Sequence, residues 1–156
     1  MRIAFGADDE NGTTAAVLAR LAEAGHDVLL PSASTEWPEV GAAVGRAVVA
    51  GDADLGVVMC WTGTGVAMAA NKVPGVRAAL AWEAWVARGA RRWNDANVLA
   101  LSLARLAPDV AVEVLDAFLA VDGPDPDERA TIDRVTALDA ARVERPDRAR
   151  PPSPTG

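Results

Sequence analysis

The residues best suited to chemistry lie in one short stretch, where an apolar run gives way to glycine and threonine. It contains the only cysteine of the chain and reads Cys60-Trp61-Thr62-Gly63-Thr64-Gly65. Glycines let the backbone turn tightly and approach a ligand. A helix that begins after such a turn offers unpaired N–H groups that suit negative charge, and a thiol beside them is a candidate nucleophile or base. The pattern predicts an active site.

A lone cysteine has a second interpretation, because free cysteine most often fills space in an apolar core. The position favours chemistry, since ligands of open α/β sheets bind beyond the carboxyl ends of the strands. The turn is too short for a Walker loop and lacks the glycine spacing of a dinucleotide-binding fingerprint. We therefore expect it to stabilise a small anion or an enolate. His26, the only histidine, lies between a helix stop and a strand, which favours a structural role.

Composition limits the classes of function. The 156 residues, 51% of them apolar, suit one domain with a sizeable core. A formal net charge of −7 argues against nucleic acid as a partner, and one cysteine with one histidine argues against a zinc site. The basic run of Arg88, Arg91 and Arg92 is expected to be solvated, with Arg88 the exception that could reach an anion.

The sequence also indicates the cellular compartment of the chain. No apolar run approaches the roughly 20 residues of a membrane-spanning helix. The chain starts directly in a strand pattern, without a charged and apolar signal segment. A single cysteine fits a reducing compartment. These features predict a cytoplasmic protein with no membrane partner.

Strand and helix patterns alternate along residues 1–121, which we take as one domain. Apolar runs predict five strands, at residues 2–7, 27–30, 55–59, 77–81 and 97–101. Helical patterns lie between them: the first is capped by Thr13 or Thr14, the second covers 39–51, and another follows over 108–119. Strands that are apolar throughout indicate a parallel sheet with helices on both faces.

The composition changes after residue 121. Residues 122–143 contain a turn and one helix-compatible stretch. A terminal helix beyond a closed core commonly packs on a neighbour, which predicts a homodimer. Residues 144–156 are rich in proline and charge and are expected to be disordered.

These motifs together resemble the ribose-5-phosphate isomerase B family, which includes the galactose-6-phosphate isomerase subunits. The resemblance covers residues 1–138 and is carried by residues 3–8, 60–65, 69–72, 75–78 and 94–100. It implies an α/β fold, a Rossmann-like three-layer αβα sandwich with a five-stranded parallel sheet. It also implies a homodimer with the active site at the dimer interface, a small-molecule substrate, and neither metal nor organic cofactor.

The resemblance implies roles for individual residues as well. Cys60 would remove the C2 proton of an open-chain sugar, and Thr62 would help to move hydroxyl protons. The backbone N–H groups of the glycine-rich turn would stabilise the resulting enediolate. The residues expected to bind substrate are Asp8, Trp61, Gly63, Thr64, Gly65, Asn71, Trp93, Asn94 and Arg134.

The chain departs from the family pattern at several of these positions. Asp9 stands where the family has a histidine, and it either takes over a ring-opening or hydroxyl role or only occupies that space. Trp93 replaces the histidine that assists ring opening, and indole does not exchange a proton at neutral pH. The phosphate-binding arginine falls at Ala104, with Arg105 displaced by one position, and the C-terminal Arg-His pair is absent although Arg134 remains.

The tryptophans indicate which kind of ligand would suit a site with these replacements. All five are expected in loops or helix starts near the cleft: Trp37, Trp61, Trp82, Trp85 and Trp93. Ordinary packing and pocket lining both remain open as interpretations. Two functions follow. The first is an isomerase that interconverts aldose and ketose through an enediolate, with Cys60 as base and Asp9 and Thr62 assisting. The alternative is a repurposed relative that acts on, or only binds, a less charged or more apolar metabolite in a tryptophan-lined pocket.

Overall fold

Five parallel strands form one sheet. The computed structural model describes residues 1–143, with side chains as far as Asp139, so the tail of residues 144–156 lies outside the described residues. The strands are β1 (Arg2–Ala7), β2 (Asp27–Leu29), β3 (Leu55–Cys60), β4 (Ala78–Leu80) and β5 (Val98–Ser102). Their order across the sheet is β2-β1-β3-β5-β4, with every pair parallel. The predicted five-stranded parallel sheet is confirmed.

Helices cover both faces of this sheet. They are α1 (Gly12–Glu23), α2 (Trp37–Val49), α3 (Thr64–Ala70), α4 (Ala84–Asn94), α5 (Pro108–Leu119) and α6 (Arg129–Val143). Two hydrophobic clusters separate the faces: one joins the sheet to α1, α4 and α5, and the other joins it to α2 and α3. The fold is therefore the three-layer αβα sandwich that the sequence indicated.

The central strand β3 shows how the two clusters divide its side chains. Successive residues of a strand point to opposite faces. Val57 and Met59 belong to the cluster under α1 and α5, whereas Val58 and Cys60 belong to the cluster under α2 and α3. All six residues of β3 are buried, because both faces are covered. The thiol of Cys60 thus points toward α2 and α3.

The first helix begins earlier than its sequence suggested, and its cap is a different residue. Asn11 caps α1, and its Oδ1 accepts hydrogen bonds from the N–H groups of Thr13 (2.9 Å) and Thr14 (3.1 Å). The prediction of a threonine cap was wrong because both threonines lie inside the helix. There Thr13 donates its hydroxyl to the carbonyl of Leu106 at 3.0 Å. Thr14 completes the capping box by accepting from the Asn11 N–H.

Other boundaries shift by one to three residues. α2 begins at Trp37 rather than residue 39, because Pro38 suits the first turn of a helix, and it ends at Val49 rather than 51. β2 ends one residue early, and β4 is limited to Ala78–Leu80. β3 and β5 each extend one residue further at their carboxyl ends, to Cys60 and Ser102. The cysteine is therefore the last residue of its strand.

Helices α2 and α3 approach each other closely at Gly41. A Cβ atom at Gly41 would lie 2.6 Å from the carbonyl oxygen of Val66 and 2.8 Å from the Cβ of Ala69. Only glycine leaves room for this contact between the two helices. The contact fixes α3, and with it the turn between β3 and α3.

Helix α6 lies apart from the main core. Ile132 is the one buried side chain among its residues up to Asp139, while Val135 and Leu138 are 49% and 64% exposed. The carboxylate of Asp139 accepts a hydrogen bond from the N–H of Gly75 at 2.8 Å. Within residues 1–143, no helix is both long and apolar enough to cross a membrane.

Candidate active site

Asp8 and Cys60 lie side by side at the carboxyl ends of two adjacent strands. The register of β1 and β3 pairs Ala7 with Met59, and the N–H of Asp8 donates to the carbonyl of Met59 at 3.1 Å. The next residues across are Asp8 and Cys60. Because side chains alternate between the two faces along each strand, the side chains of both residues point toward α2 and α3. Neighbouring strands lie about 4.8 Å apart. A carboxyl group and a thiol therefore share one face of the sheet.

The Asp8 carboxyl group is in an unusual environment. Its Oδ1 atom is buried and has no hydrogen-bond partner among the described residues. Burial raises the pKa of Asp8, and the neighbouring charge of Asp9 raises it further. A carboxyl group in this state retains its proton to a higher pH than an exposed one does. It can therefore both donate and accept a proton during a reaction.

The turn after Cys60 depends on the left-handed backbone of Gly63. Its φ is 76°, a conformation that favours glycine. A Cβ atom there would also meet the Cδ1 of Leu80 at 2.5 Å. The N–H of Gly63 donates to the carbonyl oxygen of Cys60 (3.2 Å) and lies 3.1 Å from its Sγ. The turn thus brings the backbone N–H of Gly63 next to the sulfur atom of Cys60.

Donor groups collect beyond this turn. In the part of the chain that the structure describes, the N–H groups of Thr64, Gly65 and Val66 have no hydrogen-bond acceptor. The hydroxyl oxygens of Thr62 and Thr64 are 2.7 Å apart, so one donates to the other. Fixed N–H and O–H donors of this kind stabilise a developing oxyanion. The predicted residues Cys60 to Gly65 are therefore brought together with Asp8.

A cavity of about 220 Å³ opens beside the turn, at the carboxyl ends of β4 and β5. Thr62, Trp82, Ser102 and Arg105 are among the residues that line it. The hydroxyl of Ser102 donates to the carbonyl of Trp61 (2.8 Å) and accepts from the N–H of Arg105 (3.1 Å). Sequence reasoning gave Ser102 no role. Its place at the end of β5, paired with Cys60 in the register, is the signal that identifies it.

Three tryptophans at this edge are not core residues. Trp61 and Trp82 are 61% and 57% exposed. Trp37 packs on the turn itself, because a Cβ atom at Gly65 would lie 3.0 Å from the Cε3 atom of its ring. Their exposure excludes packing in the interior for Trp61 and Trp82, and Trp82 lines the cavity beside the turn.

Asp9 differs from its neighbour Asp8. Its side chain is exposed, and its Oδ1 accepts a hydrogen bond from the N–H of Glu10 at 2.8 Å. Its carbonyl oxygen accepts from the hydroxyl of Thr14 at 3.2 Å. These contacts shape the loop after β1. They give the Asp9 carboxylate no contact with Cys60.

The remaining predicted site residues lie at the other end of the sheet. Helices α3 and α4 each return from the carboxyl edge toward the amino edge, and Asn71, Trp93 and Asn94 stand at their ends. Asn94 precedes β5 by four residues, whereas Ser102 ends that strand beside Cys60. The separation is on the order of 15 Å, the length of five strand residues. One protomer does not bring these residues to Cys60.

A second cavity, of about 350 Å³, collects this second set of residues. Its lining includes Asn71, Trp93, Asn94 and, from α6, Thr131 and Ile132. Arg134 is exposed on α6 and forms no ion pair within the described residues. We call the two groups the cysteine half-site, around Asp8 and Cys60, and the tryptophan half-site, around Trp93 and Asn94.

The indole of Trp93 is held in a fixed position. A Cβ atom at Gly89 would lie 2.5 Å from its Cζ3 atom, so the ring packs against the helix backbone. The ring of Trp85 meets it edge to face, with centroids 5.4 Å apart. The expectation that every tryptophan lies in a loop or helix start was wrong for Trp93, which lies in the last turn of α4.

The end of α4 is fixed by arginines. Asp95 has a left-handed φ of 47°, and the Arg77 guanidinium donates to its carbonyl oxygen and its carboxylate, both at 2.8 Å. Arg91 is buried rather than solvated, and it donates to the carbonyl of Ala96 at 2.8 Å. The prediction for this basic run was therefore wrong for Arg91, whereas Arg88 is exposed.

Asn71 has a structural partner of its own. Its Oδ1 accepts from the N–H of Ala78, and its Nδ2 donates to the carbonyl oxygen of the same residue, both at 2.8 Å. Ala78 begins β4, the strand at one edge of the sheet. The side chain thus bonds to the outward-facing backbone groups of that edge.

A cysteine, a partly buried carboxyl group and clustered donors at the carboxyl edge of a parallel sheet form a candidate site for a small polar ligand. Residues 3–138 match the Ribose/Galactose Isomerase family. The chain belongs to this family of sugar-phosphate isomerases, which interconvert aldoses and ketoses.

Individual relatives agree with that assignment. Ribose-5-phosphate isomerase B of Escherichia coli is 32% identical over 146 residues, which cover 90% of this chain and 98% of that protein. D-erythrulose-4-phosphate isomerase of Pectobacterium atrosepticum is 36% identical over 83 residues, or 53% of this chain and 55% of that one. The structure of ribose-5-phosphate isomerase B from Clostridium thermocellum superposes with a TM-score of 0.85 at 29% identity, covering 91% of this chain and 99% of that one.

Proposed function

We propose that this protein interconverts an aldose phosphate and a ketose phosphate through an enediolate, with Cys60 as the base. The observation that carries the proposal is that Asp8 and Cys60 directly follow the last paired residues of β1 and β3, Ala7 and Met59, and so lie at the same edge of the sheet. Asp8 supports it as well, because its Oδ1 has no hydrogen-bond partner among the described residues and burial raises the pKa of its carboxyl group. Membership of the isomerase family supports the reaction class.

The reaction then proceeds in three proton transfers. The Cys60 thiolate removes the proton from C2 of the aldose, and the electron pair of that bond moves toward the C1 carbonyl to form the enediolate. Asp8, assisted by the Thr62 hydroxyl, transfers a proton from O2 to O1. The Cys60 thiol then returns its proton to C1, which leaves the carbonyl at C2. No oxidant or reductant is consumed.

Stabilisation of the enediolate is assigned to the donors after the cysteine. The N–H groups of Thr64 and Gly65 have no acceptor in the described chain, so they are available to the oxyanion. Donors of this type contribute about 10²–10³ in rate.

We further propose that the working form is a homodimer. The tryptophan half-site lies on the order of 15 Å from Cys60 within one protomer, so it can complete a cysteine half-site only on a second copy. The exposed Val135 and Leu138 of α6 support this arrangement, because a helix with one buried side chain gains stability mainly by packing on a partner. On this proposal residues 1–121 are the isomerase domain and 122–143 the partner-binding helix, and a cytoplasmic location stays a prediction.

Deuterium exchange followed by NMR tests the chemistry directly. The purified protein is mixed in heavy water with ribose 5-phosphate, with shorter sugar phosphates and with neutral sugars. We expect deuterium to enter next to the carbonyl of at least one sugar phosphate. The Cys60→Ala variant should lose this exchange, whereas Cys60→Ser should retain the fold with a large loss of rate. Exchange that persists in Cys60→Ala would refute the cysteine mechanism.

A second function is favoured by the exposed indoles. Trp82 lines the cavity beside the turn, and Trp61 is exposed next to Thr62 of that cavity; aromatic rings of this kind suit a less charged metabolite than ribose 5-phosphate. The protein would then be a repurposed relative that acts on such a compound or only binds it. Tryptophan fluorescence quenching by a neutral sugar, without any deuterium exchange, would favour this alternative.

A further inference from the structure

We propose that Ser102 is a positioning residue of the site: its hydroxyl fixes the peptide that joins Trp61 to Thr62, so that the N–H of Thr62 is held as a further donor to the oxyanion. The inference rests on the proposed enolisation at Cys60 and concerns how the turn after that residue keeps its shape. The observation behind it is a pair of hydrogen bonds that join the end of β3 to the end of β5 and the loop that follows.

The Ser102 side chain is buried and makes two hydrogen bonds. Only 7% of the residue is exposed. Its hydroxyl donates to the carbonyl oxygen of Trp61 at 2.8 Å, and its oxygen accepts from the N–H of Arg105 at 3.1 Å. A hydroxyl has one proton to donate, and here that proton goes to the Trp61 carbonyl. The backbone on both sides therefore sets the direction of this hydroxyl group.

The carbonyl of Trp61 is held by two donors from the β5 side. They are the Ser102 hydroxyl and the N–H of Ala104, the second at 3.0 Å. A trans peptide is planar, and its N–H points opposite to its C=O. The N–H of Thr62 therefore points away from β5. On the opposite side of β3 lies β1, the strand that Asp8 follows.

The N–H of Thr62 has the properties of an oxyanion donor. It has no acceptor among the described residues, and it belongs to the same turn as the N–H groups of Thr64 and Gly65. The two hydrogen bonds on the Trp61 carbonyl polarise the peptide, which strengthens its N–H as a donor. A donor that is held in place beforehand costs no reorganisation when negative charge develops. Ser102 thus assists the reaction without touching the substrate.

Steady-state kinetics of Ser102→Ala tests this role, with the full-length protein and the sugar phosphate that deuterium exchange shows to be active. We expect kcat to fall about tenfold with KM within about threefold of the wild type, the pattern of an interaction made only in the transition state. The loss stays below the about 10²–10³ that removal of a donor costs, because the N–H of Ala104 still holds the Trp61 carbonyl. Deuterium exchange next to the carbonyl should slow by the same factor as kcat. Ser102→Thr keeps the hydroxyl and should recover most of the activity.

Thr13→Val is the matched control. Thr13 is 4% exposed, and its hydroxyl also donates to a backbone carbonyl of the loop after β5, that of Leu106 at 3.0 Å. Both Thr13→Val and Ser102→Ala should lower the urea midpoint, because each removes a buried hydrogen bond, but only Ser102→Ala should lower kcat. If Ser102→Ala failed to fold, Ser102→Cys in a reducing buffer would replace it with the same expected fall in kcat, since a thiol is a weaker donor than a hydroxyl.

The other outcomes separate this inference from the proposed function. A kcat of Ser102→Ala within about twofold of the wild type, or an equal fall in Thr13→Val, would overturn the positioning role and leave the isomerase intact. A rise in KM alone would also overturn it, because the hydroxyl would then act on substrate binding rather than on the transition state. No turnover and no deuterium exchange in the wild type would overturn the isomerase itself. Cys60→Ala gives the background rate that is subtracted from each variant.

Discussion

At the scale of single residues, the two adjacent aspartates Asp8 and Asp9 have different environments and therefore different expected roles. Asp8 has a buried oxygen without a partner, and Asp9 is exposed and bonded to the backbone of Glu10. The resemblance gave Asp9 a catalytic role and Asp8 a substrate-binding role. The sequence could not show which of the two shares a face of the sheet with Cys60, and that difference is why proton transfer is proposed for Asp8 instead.

The pair can be compared directly by removing one charge at a time. We expect Asp8→Asn to lower kcat by about 10²-fold with little change in KM, because the transfer between the two oxygens loses its acid–base group. Asp9→Asn should stay within about threefold of the wild type, as a solvent-exposed change does. Steady-state kinetics on the active sugar phosphate gives both values. A larger loss in Asp9→Asn would return the proton-transfer role to that residue.

The partly buried carboxyl group of Asp8 also predicts how stability depends on pH. Burial and the charge of Asp9 raise the pKa of Asp8 in the folded protein. The stability that this shift contributes is fully present below the ordinary pKa of about 3.9 and is lost as the pH rises through the raised pKa. Asp8→Asn does not titrate. It should therefore be more stable than the wild type at neutral pH, with the difference shrinking as the solution is acidified.

Urea unfolding of both proteins at about pH 7 and at about pH 4 checks this prediction. The lower pH is chosen because it lies near the pKa of aspartate in an unfolded chain. The relevant quantity is the difference in unfolding free energy between the two proteins at each pH. A difference that is constant across this range would mean that Asp8 is not held in a desolvated environment.

At the scale of elements, the sequence predicted strands better than the ends of helices. The five apolar runs became strands because a strand buried on both faces needs apolar residues throughout, and Pro108 marked the start of α5. The cap of α1 was missed because asparagine and threonine are both favoured as caps, and two threonines follow Asn11 within three residues. The burial of Arg91 was missed because its partners are the carbonyl of Ala96 and the ring of Phe118, which only the folded chain brings near.

The contact between α2 and α3 gives the second stability prediction. Gly41→Ala places a methyl group 2.6 Å from the carbonyl oxygen of Val66, so the two helices must separate. We expect a loss of about 1–3 kcal/mol in unfolding free energy, typical of overpacking. Gly12→Ala is the matched control, because its nearest atom is 3.9 Å away on Pro108 and alanine favours a helix by up to about 1 kcal/mol. Equal losses in the two variants would argue against a tight contact at Gly41.

At the scale of the whole molecule, the division of the predicted site between two ends of the sheet is the main result. The sequence grouped Cys60 and Asn94 because a resemblance assigns both to one site. It could not say whether they come from one chain or two. The return of α4 to the amino edge separates them, and a second copy is the simplest way to reunite them.

Mixing two inactive variants tests that arrangement. Cys60→Ala removes the base, and Asn94→Ala alters the tryptophan half-site, so we expect each homodimer to have low activity. A mixed dimer contains one complete site and one doubly altered site. After unfolding and refolding together, about a quarter of the wild-type specific activity should return, because half of the dimers are mixed and each has one working site of two. No recovery in the mixture would indicate that each site belongs to one chain.

The amide of Asn71 has a consequence for the solubility of the chain. By bonding both backbone groups of Ala78 it occupies the place that another strand would take at the edge of β4. Exposed strand edges are templates on which chains pair and form fibrils. This side chain therefore acts as a cap that discourages the pairing of a further strand with β4.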